Sequence, residues 1–413
     1  MTVGNIAFPD ISPLAGVKLG AAGAAIKRAN RDDILIIELA ENSVTSGVFT
    51  QNAFCAAPVT VAKKHLQANL ASKNKRAIRY LVINAGNANA CTGARGLTDA
   101  LTVCQKIADE KGVAVEQLLP FSTGVIGELL PVPKMLDAIP VALADLNEAN
   151  WLRAARTIMT TDTVPKAVTR QFIYDGESVT VTGIAKGSGM IKPNMATMLA
   201  FVATDARVAP DVLDRVVRLA TGKSFNRIVI DGDTSTNDAC MLMASGQANL
   251  PEITVCDGKL YEGFLATVET VFTELAQLLI RDGEGATKFI TVDVMGGGIE
   301  TECKRVAYAI AQSPLIKTAF FASDPNWGRI VAAIGYAGIE GLDPAKVSVC
   351  LDDVLIVDKG QRAATYAEEQ GQRVMNQDDI TIKVDLGRGM ARHTLWTTDF
   401  SHDYIKINAE YRT

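Results

Sequence analysis

The chain has 413 residues, of which 48% are hydrophobic and 21% charged, and its formal net charge is −5. That length exceeds one small core and suffices for two domains or one large α/β unit, with the composition of a soluble globular protein. The acidic balance, with no dense Lys/Arg run, argues against a nucleic-acid partner, which needs a basic face.

Along the chain, the first unusual stretch is 16–23 (GVKLGAAG). No strand precedes it, so a dinucleotide loop is a poor reading and a close-packed turn a better one. Residues 59–71 predict a helix, with His65 beside Lys63 and Lys64 on a solvated surface. Residues 73–79 (KNKRAIR) read as a solvated turn leading into a buried strand at 78–84, and 97–111 is again helical. Asn150 stands where its side-chain oxygen can accept from the free N–H groups of a helix over 151–159. Residues 166–174 and 178–184 form a hairpin around Asp175 and Gly176, a pair that tolerates positive φ. The stretch 183–189 (GIAKGSG) has its lysine ahead of its last glycines, whereas a phosphate loop needs Gly-Lys-Ser/Thr after them; a close-packed turn fits better. Residues 198–203 form a short apolar strand, and 211–220 and 263–280 are amphipathic helices. The segments 289–294, 347–357, 380–384 and 404–409 alternate as strands do. This mixture predicts an α/β sandwich rather than a purely parallel sheet. No repeat, low-complexity tract or long Pro/Gly linker divides it.

The seven cysteines are odd in number, widely spaced and free of any C-x-x-C pair, which argues against a disulfide framework or zinc site and fits a reducing compartment. The opening MTVGNIAFPD lacks the regions of a signal peptide. No apolar run reaches the roughly 18–20 residues that span a bilayer. A cytoplasmic enzyme with no membrane partner is expected. The three histidines, at 65, 393 and 402, sit in no motif, and HExxH and GxSxG are absent, so zincin and α/β-hydrolase chemistry find no support.

The densest unusual sequence is 183–201, GIAKGSGMIKPNMATMLAF. A strand runs into a glycine-rich loop, Pro193 interrupts it, and Thr197 opens the next apolar strand. On composition alone Thr197 is a β-favouring residue at a strand start, Thr123 and Gly124 belong to a plain turn, and Glu284 is helix-end solvation.

The motif KGSGMIKPNMATMLAF resembles the self-cleaving signature of the ornithine acetyltransferase family, also called the ArgJ or glutamate N-acetyltransferase family. The resemblance covers essentially the whole chain and extends through residues 16–27, NAGNANACTG (84–93), FSTGVIGELLP (121–131), IMTTDTVPK (158–166), DGDTSTND (231–238), RDGEGATKF (281–289), DPNWGRI (324–330) and the closing NAEYRT. It implies a layered α-β-β-α sandwich of the DmpA/ArgJ-like kind, cut by the chain itself between Ala196 and Thr197 into an α chain (1–196) and a β chain (197–413). Thr197 would then be the nucleophile. Its freed α-amine, with an ordinary pKa of roughly 7.7–8.0, would serve as the base its hydroxyl needs. The resemblance assigns oxyanion stabilisation to Thr123 and Gly124, and substrate contacts to Thr160, Lys186, Thr197, Glu284, Asn408 and Thr413. It implies ping-pong acetyl transfer from N-acetylornithine to glutamate, an α2β2 heterotetramer, and no metal or prosthetic group, with acetyl-CoA as a candidate second donor. Two rivals remain open at this point. One is a DmpA-like self-processing aminopeptidase; the other is an uncleaved binding protein for acylated amino acids.

Overall fold

The computed structural model describes residues 2–4, 6, 10–71, 77–192 and 198–409. Ala196, Thr197 and Thr413 lie outside the described residues, as does most of the turn expected at 73–79. Buried apolar runs alternate with amphipathic ones, so strands and helices follow one another along the chain. Strands β1 (Val17–Ala22), β2 (Ile34–Leu39) and β3 (Val44–Phe49) precede helix α1 (Ala57–Ala71), β4 (Tyr80–Asn87), α2 (Gly93–Lys111) and β5 (Leu118–Val125). Helices α3 (Val132–Ala144) and α4 (Trp151–Thr157) lead to β6 (Lys166–Tyr174), β7 (Glu177–Lys186), β8 (Leu199–Thr204), α5 (Pro210–Lys223), β9 (Ile228–Val229), β10 (Ala239–Ala244) and α6 (Lys259–Arg281). Then come β11 (Phe289–Gly297), α7 (Glu300–Ala311), α8 (Pro314–Phe321), α9 (Trp327–Tyr336), β12 (Ser348–Leu351), β13 (Val354–Asp358) and β14 (Gln361–Arg362). The last elements are α10 (Glu368–Met375), β15 (Asp379–Asp385), β16 (Ala391–Thr398) and α11 (His402–Ala409).

Among the described residues the strands form three sheets, ordered β1-β2-β4-β5, β3-β10-β8-β7-β6 and β14-β13-β12-β15-β11-β16-β9. The first two pack face to face. Leu19, Ile37, Leu81 and Phe121 meet Ile184, Phe201 and Met241, and the Phe121 and Phe201 rings touch edge to face at 5.1 Å. Helices α2 and α3 cover the outer face of the first sheet through Val103, Ile107 and Ile139. Helices α5 and α6 cover the second through Val216, Phe264 and Leu275. The result is the α-β-β-α sandwich the resemblance implies. The third sheet, covered by α7 to α9 through Val306, Ile310 and Ile334, is an addition that the periodicity of single segments does not foretell. By length and composition α6 could cross a membrane, although it holds no uninterrupted apolar run. Its apolar stripe, Phe264, Val268, Val271 and Leu275, is buried in the core.

Strand β8 lies centrally in the second sheet. It pairs antiparallel with β7, Lys186 opposite Leu199, and parallel with β10, Ala239 opposite Leu199. Segments from both sides of the Ala196–Thr197 bond therefore share one sheet.

Five local expectations are corrected. Residues 404–409 form helix α11, not a strand. Ser401 Oγ accepts from Tyr404 N in the first turn and donates to Gly285 O at 2.6 Å, so Tyr404 and Asn408, one turn apart, face the body while Ile405 is exposed. His65 is buried, its Nδ1 donating to Leu118 O at 2.7 Å; helical rotation puts it on the face of Ala62 and Asn69, away from Lys64. Asn150 makes no cap hydrogen bond. Its amide donates instead to the carbonyls of Leu19 and Asp145, both at 2.9 Å. Most of 16–23 is strand β1, in which Gly20 lets α3 approach; a Cβ there would lie 2.0 Å from Ala142 O. Residues 347–357 split into β12 and β13 because Asp352 turns the chain at φ +49° and accepts from Thr381 N at 2.8 Å, a left-handed position Asp tolerates.

Candidate functional site

A cavity of about 280 Å³ opens where the two sandwich sheets meet at the ends of β5 and β7. Its walls include Thr123, Gly124, Thr160, Lys186, Glu284 and Asn408, six of the residues singled out by the resemblance. Met198 and Leu199 also line it, so the residue following Thr197 is at the cavity. On the other side of the undescribed 193–197, Met190 N and Ile191 N donate to the Asp231 carboxylate at 2.6 and 2.8 Å.

Strand β5 is buried from Leu118 to Thr123 and carries Thr123 and the half-buried Gly124 just before its last residue, Val125. Gly124 sits at φ +135°, and a Cβ there would lie 2.3 Å from the carbonyl carbon of Gly86. Only glycine fits this approach of β4 to β5, which is irregular at Gly86 and Asn87. Lys186 Nζ, at the end of β7, donates to Thr123 Oγ1 at 3.2 Å. Since the ammonium is donor-only, the Thr123 hydroxyl keeps its own proton for another acceptor. Burial pushes the Lys186 ammonium below its ordinary pKa and Lys166 adds to this, while Asp162, Asp238 and Glu284 act in the opposite direction.

Beneath these groups lies a buried charge network. Lys166 Nζ donates to Asp162 Oδ1 at 2.6 Å and to Asp282 Oδ2 at 2.5 Å, with all three side chains shut off from solvent. Asp162 also accepts from Gly187 N at 2.7 Å and Thr160 N at 3.0 Å. It thereby fixes the loop carrying Thr160 against the end of β7. Burial alone would raise the Asp162 pKa, but Lys166, Lys186 and the Thr160 N–H hold it well below the usual carboxylate range. Asp282 in turn accepts from the N–H and hydroxyl of Thr163.

Glu284, just beyond α6, is buried rather than solvated. Its N–H donates to Ser188 O at 2.7 Å, and its Oε2 accepts from Asn408 Nδ2 of α11 at 2.9 Å. A Cβ on Gly189 would lie 2.4 Å from that carboxylate, so glycine lets the 187–190 loop close on it. Asp238 completes the wall. Its carboxyl is buried with Oδ2 unpartnered among the described residues. Burial pushes its pKa well above the ordinary value, against the pull of Ser235 and Lys186. Ala239 N donates to Met198 O at 2.9 Å, which sets Asp238 beside the residue after Thr197. Asn237 braces the same wall, donating to Ala88 O at 2.6 Å and Ser122 O at 2.9 Å.

Reasoning from the sequence gave no role to Asp162, Lys166, Asn237 or Asp238. The first two lie inside or at the end of the quoted 158–166 motif and the others inside 231–238, but their partners come from distant segments. Among the described residues no group of three or more His, Cys, Asp or Glu side chains is placed to hold a metal ion. Chemically, the cavity offers the Thr123 hydroxyl, a cation at Lys186 and a carboxylate at Glu284, with Met198 in the same wall. A hydroxyl donor beside a cation suits stabilisation of a developing oxyanion.

Comparison with known proteins shows the family. The ArgJ family matches residues 18–413. The arginine biosynthesis bifunctional protein ArgJ of Pseudomonas fluorescens (strain Pf0-1) is 56% identical over 413 residues, all of both chains. Its counterpart from Pseudomonas syringae pv. tomato is 55% identical over the same span, again all of both chains. Among solved structures, the protein of that name from Bacillus halodurans is 34% identical, covering 50% of this chain and 95% of that one, with a TM-score of 0.48.

Proposed function

This chain belongs to the ArgJ family, and on that premise we propose that it moves an acetyl group from N-acetylornithine to glutamate through an acetyl ester on Thr197, in arginine biosynthesis. The observation that carries the reading is the convergence of Thr123, Gly124, Thr160, Lys186, Glu284 and Asn408 on one cavity that Met198 also lines. Relatives that match the whole length under the ArgJ name favour this over the self-processing aminopeptidase.

The chain first cuts itself between Ala196 and Thr197, and the 1–196 and 197–413 pieces stay together because β7 and β8 are hydrogen-bonded neighbours. Cleavage turns the Thr197 amide nitrogen into an α-amine. That amine takes the hydroxyl proton as the Thr197 oxygen attacks the acetyl carbonyl. The Thr123 hydroxyl, whose oxygen already accepts from Lys186, and the Gly124 N–H donate to the oxyanion. Collapse expels the α-amine of ornithine, which receives the proton. Glutamate then enters, its neutral amine attacks the ester by the reverse sequence, and N-acetylglutamate leaves. Lys186 and Thr160 hold the substrate carboxylate, while Glu284 and Asn408 hold the ornithine ammonium; Thr413 adds a contact from the chain end. Acetyl-CoA serves as a second donor to the same threonine, which accords with the relatives being called bifunctional. No metal or prosthetic group takes part, two processed pairs associate as α2β2, and the enzyme works in the cytoplasm.

The test is intact-mass analysis of purified protein. Two chains, the second beginning at Thr197, are expected; processing at any other bond refutes the assignment, and a single uncut chain points to the binding-protein alternative.

A further inference from the structure

A second cavity, of about 320 Å³, shares Gly124, Val125, Thr160 and Thr161 with the first. Its far wall is the β1–β2 loop, which contributes Lys27, Arg28 and Arg31. Two charged groups of this loop are committed to its shape. The Asp33 carboxylate accepts from Ala24 N at 2.6 Å and Ile26 N at 2.7 Å. Arg31 Nη2 donates to Met159 O at 2.8 Å and to the carbonyls of Arg156 and Thr157. Arg28 is exposed and makes no hydrogen bond or ion pair among the described residues. The chamber is therefore cationic, and its acid is already satisfied by backbone N–H groups.

The proposed reaction poses a charge problem that these two chambers answer. Donor and acceptor share one α-amino-acid head, and the reacting nitrogen must lie at the same place beside Thr123 and Gly124 for both. Their side chains carry opposite charges. An ammonium suits the Glu284 end of the first cavity, where a second carboxylate would be repelled. Resting on the acetyl-transfer reading above, we propose that the second chamber is the acceptor's side-chain site: the γ-carboxylate of glutamate runs past Gly124 and Thr160 to Arg28, while the ornithine chain runs to Glu284. Guanidinium is the group best shaped to take a carboxylate with two parallel hydrogen bonds. Ile407 lines this chamber and Asn408 the other, so α11 walls both.

The experiment follows the two half-reactions of Arg28→Gln and Arg28→Glu separately. Ornithine release from N-acetylornithine in the first turnover reports acylation. Decay of the acetyl-enzyme with glutamate or glutamine reports the acceptor. Expected for Arg28→Gln is acylation within about twofold of wild type, and a glutamate half-saturation raised about tenfold or more, the scale of a lost charge-assisted hydrogen bond. Arg28→Glu should prefer glutamine to glutamate, and Arg28→Lys should restore much of the glutamate preference. Unchanged glutamate saturation overturns the proposal, as does an equal loss in both half-reactions. A defect confined to acetyl-CoA as donor also overturns it, because the chamber would then serve a phosphate-bearing group. Failure of the underlying reading is distinct: wild-type protein would then form no acetyl-enzyme at all.

Discussion

Replacing Lys166 with Met isolates the buried charge network from the reacting groups. The substitution keeps an unbranched side chain but leaves Asp162 and Asp282, both shut off from solvent, facing each other without their shared cation. Breaking a buried pair by removing one partner costs about 3–5 kcal/mol. With an unfolding entropy of roughly 2.1 cal/mol/K per residue over the whole chain, that is a fall in Tm of about 3–6 °C near neutral pH. The sign with pH is the sharper test. In the wild type the Asp162 pKa is depressed, so its contribution is present above the ordinary carboxylate pKa and lost as pH falls through the folded value. In Lys166→Met, burial and the facing Asp282 carboxylate raise the folded pKa of Asp162, so the folded state gains a proton first and stability recovers on acidification. Thermal unfolding of both proteins between pH 8 and pH 5 reads this directly. A Tm gap that narrows as pH falls is expected. A gap that stays constant or widens, or a variant as stable as wild type at pH 8, refutes the reasoning.

Three further substitutions probe the site. Thr197→Ala removes the nucleophile and should leave one uncut chain on a denaturing gel, where two bands would disqualify Thr197 as the cleaving group. Thr123→Ala should lower kcat about 10²–10³-fold with little change in KM, because the oxyanion exists only in the transition state; steady-state kinetics showing only a KM change would make Thr123 a ground-state contact. Asn408→Ala removes the donor to Glu284 and should raise the KM for N-acetylornithine several-fold while self-cleavage proceeds, since cleavage needs no bound amino acid. Uncut Asn408→Ala protein would mean that α11 supports folding of the processing site instead.

Much of the sandwich is legible in local pattern. The 166–174 and 178–184 hairpin, with positive φ at Asp175 and Gly176, and the helices at 59–71, 97–111, 211–220 and 263–280 follow from periodicity and turn chemistry alone. What periodicity misses depends on distant partners. Alternation over 404–409 fits a strand as well as a helix. The choice is made by Ser401 bonding Gly285 and by Asn408 reaching Glu284, contacts to a loop more than a hundred residues earlier. His65 looks solvated between lysines in the linear sequence, yet a helical projection sets it with Ala62 and Asn69 against the Leu118 carbonyl. The site itself is less legible. Thr123, Lys186 and Glu284 were singled out by family likeness, because a turn, a strand end and a helix end look ordinary in isolation. Asp162, Lys166 and Asp282 become a unit only when the fold joins the start of β6 to the end of α6.

The central claim is an acetyl ester on Thr197, and the most direct measurement is to trap it. Enzyme mixed with N-acetylornithine labelled in the acetyl group, without glutamate, is quenched in acid, digested and sequenced by tandem mass spectrometry. The account predicts one labelled acetyl group on the peptide that begins at Thr197, attached through the hydroxyl and discharged when glutamate is added before the quench. A label on another residue, or no label while N-acetylglutamate still forms once glutamate is present, would contradict it.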